Sequence, residues 1–181
     1  GDPVVAPTQY NWPGGSGVQG QISVTDAATT TANVIQNGAF TTWASALAPP
    51  ENWLYAVGTA GTAFVRASSA NAMRSEDYAM QMTSDGATVL KLRQVVTLTP
   101  DTVYAVNLWA KTDAAAAGQV AIRLVDATGT VIADNAGTNN TVPMNTNSLT
   151  TSYQPLEDVL ASGSPFFRTP RSLPSTVYLE I

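Results

Sequence analysis

With 181 residues the chain is long enough for one domain with a hydrophobic core plus an appendage, and too short for two full domains. It contains no histidine and no cysteine, which removes Cys/His zinc sites, Ser/His and Cys/His nucleophile pairs, thioredoxin-like redox chemistry and disulfide stapling together. A net charge of −5, with eight basic residues spread along the chain, offers no row of cations for phosphates, so nucleic acid and anionic membranes are excluded as partners.

Residues 1–33 are rich in Pro, Gly, Gln, Ser and Thr and include Trp12-Pro13-Gly14-Gly15-Ser16-Gly17, the composition of an extended arm or linker. Within it Val18, Gly20, Ile22 and Val24 alternate with polar neighbours, so a strand added to a sheet edge is the alternative. The compact domain is placed at residues 34–181. No apolar run approaches the roughly 20 residues of a membrane span, and no signal-peptide pattern opens the chain. Lack of cysteine suits an extracellular or virion-surface life, and a cytoplasmic one equally.

Strand-like segments follow at 33–40, 53–57, 62–67, 78–83, 88–98, 102–111, 119–126, 131–134, 153–156 and 176–181. Short strands between Gly, Pro, Asn and Asp turns, with no long helix, predict an all-β antiparallel sandwich. The clearest pair meets at Thr99-Pro100-Asp101. After that turn Tyr104, Val106, Leu108 and Ala110 share one parity and Ala105, Asn107, Trp109 and Lys111 the other, as in a strand with one buried face. Trp109 is therefore predicted on the outer face, where an indole is costly unless covered. It marks either a binding surface or a contact covered by a loop or another subunit. Asp126-Ala127-Thr128-Gly129 is a hairpin signal, and 135–147 reads as a long polar surface loop. Its Asn139-Asn140-Thr141 matches a glycosylation sequon by chance in a Thr-rich chain.

A binding surface around Trp109 needs hydrogen-bonding groups flanking the flat aromatic ring. With Met80 and Met82 inward, Gln81 points out; with Val120, Ile122 and Leu124 inward, Arg123 points out beside Asn107 and Trp109. Lys91 and Arg93 share a parity that sets them on the same outer face. Trp53, Tyr78 and Tyr104 are assigned to the core, with Ala48-Pro49-Pro50 bending the chain between Trp43 and Trp53. Carboxylates are the remaining route to glycoside hydrolysis, which needs two of them about 5–9 Å apart. Glu76-Asp77 and Glu157-Asp158 are adjacent and would diverge on a strand, so no enzyme is predicted.

Val34-Ile35-Gln36-Asn37-Gly38-Ala39-Phe40, then Trp43 and Trp53, open an ordered series of motifs. It continues through Gln94-Val95-Val96-Thr97-Leu98-Thr99-Pro100-Asp101-Thr102-Val103-Tyr104, into Leu108-Trp109-Ala110-Lys111, and on to segments at 119–126, 149–154 and 177–181. That order resembles the carbohydrate-binding modules of the family 4/9 type, jelly-roll relatives of the galactose-binding-like domains, over about residues 34–181. The resemblance implies a jelly-roll sandwich with a polysaccharide or glycan partner, Trp43 and Tyr55 near the rim of the groove, and, as sole cofactor, a structural calcium near Asn37 and Gly38. The family's closing acidic strand has no counterpart before Ile181, so either the tail is cut off there or the arm or a neighbouring chain fills that edge. The expected role is a non-catalytic module holding a larger protein on a glycan, outside the cell or on a virion or cell surface. The alternative is a structural or assembly domain of a bacterial surface protein or phage virion, its arm reaching neighbouring subunits.

Overall fold

The computed structural model describes residues 22–26, 33–67, 78–83, 87–112 and 119–181. Most of the expected arm, the Glu76-Asp77 pair and the short Ala-rich stretch at 114–117 lie outside the described residues. The elements are β1 (Ile22–Asp26), β2 (Leu54–Val57), β3 (Phe64–Ala67), β4 (Ala79–Met82), β5 (Lys91–Val96), β6 (Val103–Ala110), β7 (Gln119–Val125), β8 (Thr141–Asn145), β9 (Gln154–Pro155), α1 (Leu156–Val159), β10 (Phe166–Arg168) and β11 (Val177–Glu180). The architecture is the all-β sandwich that the turn-rich sequence predicts.

In one sheet β6 is central, with β1 on one side and β9 and β10 on the other. The second runs β2-β5-β11-β7-β8, and β3 pairs with β4 apart from both. Every described strand pair is antiparallel. Alternate residues turn inward on each sheet: Tyr104, Val106 and Leu108 on β6 meet Leu92, Ile122, Leu124, Val142 and Leu179 in one core. Tyr104 also closes the turn before its strand, its hydroxyl accepting from the Thr99 N–H at 2.8 Å. Tyr78, expected in the core, is half-buried, with the Arg66 guanidinium 4.2 Å from its ring centroid.

Several boundaries differ from expectation. Residues 22–26, assigned by composition to the arm, form a strand whose Ile22 and Val24 are only 1% exposed. Burying such side chains is worth roughly 1.5–3 kcal/mol each, enough to draw a polar segment into the sheet, which is the alternative its alternation offered. Residues 33–40 are turns rather than a strand. The expected loop at 135–147 contains β8, with Val142 and Met144 turned into the core. Pro143 hid it, and its missing N–H is tolerated because β8 is the sheet's last strand. The hairpin at 126–129 is present: Asp126 Oδ1 accepts from the Thr128 N–H at 2.8 Å and the Thr130 N–H at 3.0 Å, with Gly129 at φ +88°.

One polar residue ties the two sheets together. Asn140, 5% exposed, donates to the carbonyls of Ile132 (2.9 Å) and Arg168 (3.0 Å) and accepts from the Arg168 N–H (2.8 Å). Gln94 does similar work in the core, exchanging two bonds with the Gln36 backbone at 2.8 and 2.7 Å.

Candidate functional site

Asn37 sits in the left-handed region at φ +48°, a conformation asparagine tolerates better than most residues. From there its side chain reaches into the loop at 41–51. The amide nitrogen donates to the carbonyls of Thr42 (2.9 Å) and Glu51 (3.1 Å), and the amide oxygen accepts from the Thr41 (3.0 Å) and Thr42 (3.2 Å) N–H groups. Glu51 N–H donates back to Thr42 O at 2.9 Å, Trp43 bridges to Pro50, and the Trp43 indole N–H donates to Phe40 O. Trp53 packs beneath, 5% exposed and 5.2 Å from the Phe40 ring, as its core assignment predicts.

Tyr55 holds the same loop from inside. Its register with Leu92 turns it toward the core, where it stacks on Phe64 at 4.5 Å, and its hydroxyl donates to Ala48 O at 2.9 Å. Burial pushes that hydroxyl's pKa up, so it stays a protonated donor. Tyr55 is thus a support of the loop, not a rim contact. Over this frame opens a cleft of about 350 Å³ lined by Thr42, Trp43, Ala44, Pro49 and Glu51, near the lower end of ligand clefts at roughly 300–1,000 Å³. Because the indole nitrogen is committed to Phe40, Trp43 offers the cleft an apolar ring, beside a carboxylate and a hydroxyl.

The calcium implied near Asn37 and Gly38 does not fit these atoms. Both polar atoms of the Asn37 side chain are spent on the loop, and Gly38 O accepts from the Ile22 N–H at 3.1 Å. Among the described residues no three His, Cys, Asp or Glu side chains gather as a metal cage. Gly38 has a different role: a Cβ there would lie 2.2 Å from Ile22 O, so only glycine lets β1 run alongside.

The expected outer-face platform is divided between the two sides of the sandwich. Trp109 and Asn107 are on β6 in one sheet; Lys91 and Arg93 on β5 and Arg123 on β7 belong to the other. Arg123 therefore does not stand beside Trp109. Asn107 is exposed, while Trp109 is half-buried opposite Pro155, its indole nitrogen inaccessible and without a hydrogen-bond partner. That nitrogen is not available to a sugar hydroxyl. Gln81 lies on the separate β3–β4 pair, exposed, 3.4 Å from the Thr83 hydroxyl.

What the second sheet does gather is an ion cluster that sequence spacing left hidden. Glu180, 3% exposed, accepts from Arg93 Nε and Nη2, both at 2.6 Å, with Lys91 Nζ at 3.9 Å. Register places Arg123 on its other flank. Glu180→Gln is expected to destabilise the chain by about 2 kcal/mol, less than the roughly 3–5 of a fully buried broken pair because Lys91 and Arg93 keep some water. Urea unfolding checks this, and an unchanged midpoint would contradict it. The other acidic pair, Glu157 and Asp158, lies exposed in α1 instead of on a strand.

The chain matches no family model and no curated protein. Among the described residues no helix is long and apolar enough to cross a membrane.

Proposed function

We propose that the chain is a non-catalytic carbohydrate-binding module of jelly-roll type that holds a larger protein on a glycan, and that the Trp43 cleft takes the sugar. The observation that carries this reading is the pre-organised loop: four side-chain hydrogen bonds from Asn37 and one from Tyr55 fix the cleft before any ligand arrives. Rigid presentation lowers the ordering cost of binding. An indole ring beside Glu51 and Thr42 suits the apolar face and the hydroxyls of a sugar. The passage of the chain from β5 to β6 to β7, alternating between sheets, supports the jelly-roll reading. A role on an extracellular, cell or virion surface accompanies it.

A glycan-array screen of the wild type beside Trp43→Ala and Trp109→Ala tests the proposal. Trp43→Ala is expected to weaken binding roughly tenfold or more, about 1.4 kcal/mol, while Trp109→Ala leaves the specificity pattern unchanged. A folded wild type that binds no glycan removes the reading. The reverse ranking of the two variants moves the site to β6.

A second reading, a structural or assembly domain of a surface protein or virion, is favoured by another observation. Leu54, Val57 and Val95 are 37%, 39% and 56% exposed on the outer face of the five-stranded sheet. Adjoining exposed aliphatics on a sheet face mark a protein contact.

A further inference from the structure

We infer that the outer face of the five-stranded sheet docks a second copy of this chain, head to tail and through charge. The inference rests on the assembly reading and names its partner and geometry. Lys91, Arg93 and Arg123 are three of the chain's eight cations, gathered, among the described residues, around the one carboxylate of Glu180. The patch is thus net +2 on a chain of net −5, which leaves the remainder, five cations and twelve carboxylates, at −7. Arg93 spends its charge on Glu180, whereas Lys91 reaches it only at 3.9 Å and Arg123 has no hydrogen bond or ion pair among the described residues. Two cations are left for a partner, bordered by the exposed Leu54, Val57 and Val95.

This combination selects the kind of partner. A polysaccharide gains little from valine and leucine, whereas a protein surface with carboxylates and apolar groups gains from both parts of the patch. Taken together, the rest of the same chain is acidic, so a second copy supplies the complementary charge. Face-to-face pairing would oppose the unneutralised cations of two copies, which disfavours a twofold contact. In the inferred head-to-tail contact the face of one copy meets a different surface of the next, and the contact closes into a ring or runs on as a filament. The counterpart is the Glu157–Asp158 pair of α1. Both are exposed and unpaired among the described residues, and α1 packs on β6, β8 and β9.

Sedimentation velocity of the full 181-residue chain tests this. The wild type is expected to associate at about 0.02 M salt and to dissociate at about 0.5 M, where screening reaches only a few ångströms. Lys91→Glu/Arg123→Glu and Glu157→Lys/Asp158→Lys are each expected to weaken association at least tenfold, with circular dichroism showing both folded. Mixing the two variants should restore it, because each reversed patch then meets its opposite on the other. Association indifferent to salt and to both reversals overturns this contact and leaves the assembly reading standing. A monomer under all conditions overturns both.

Discussion

Gly38→Ala is expected to lower stability by about 3 kcal/mol, at the upper end of overpacking costs, and the melting temperature by roughly 6–12 °C. Gly38 is not among the glycines at positive φ, so backbone preference contributes nothing to the loss. The cost is steric: the new Cβ would stand 2.2 Å from Ile22 O and 3.2 Å from Ile35 Cγ2, and a backbone carbonyl in a paired strand cannot swing aside. Relief comes only by lifting β1 from its place, which exposes Ile22 and Val24. Gly163→Ala is the matched control, with φ +75° but open space around it, and should cost about 1–2 kcal/mol from left-handed backbone alone. Thermal melts of the two decide the matter. Equal losses would mean that β1 does not depend on the bare backbone at Gly38.

Asn37→Ala should cost about 2–3 kcal/mol and also abolish glycan binding. Four hydrogen bonds, each worth roughly 0.5–1.5 kcal/mol net and fewer where water replaces them, disappear together. Alanine is also the poorer residue at φ +48°. Asn37→Gly separates these causes, since it relieves the backbone and still deletes the amide. Asn37→Asp keeps both accepting bonds but points carboxylate oxygen at the carbonyls of Thr42 and Glu51, and should bind as poorly as alanine. The checks are melting temperature and affinity for whichever sugar the wild type retains. Full affinity in a destabilised Asn37→Ala would show that the loop is not the binding element.

Alternation made the inner strands legible. The strands β6 and β7 carry apolar residues every second position because one face of each is buried, and β5 does the same but for the buried Gln94. Shorter or edge elements gave weaker signals: β10 has three residues, and β8 carries a proline between Val142 and Met144. The platform failed for another reason. Parity assigns a side chain to one face of its own strand, yet it does not say which sheet the strand joins. Because β6 and β7 are successive in the chain and lie in different sheets, Arg123 and Trp109 were paired across a core that separates them. Trp43 was legible as an aromatic in a proline-bent loop. The resemblance makes Asn37 a metal ligand, and its true role leaves no sequence signal, since a side chain that bonds only to backbone amides and carbonyls has no complementary residue to spot.

The buried amide of Asn140 determines how the molecule carries load. It joins the start of β8 in one sheet to β10 in the other by bonds in both directions, Nδ2 to Arg168 O and Arg168 N–H to Oδ1. Sliding one sheet over the other would break these bonds together and leave buried polar atoms unpaired. Asn140 therefore resists shear of one sheet against the other. Under the tethering role proposed above, that cross-link would help set the tension at which the anchor deforms.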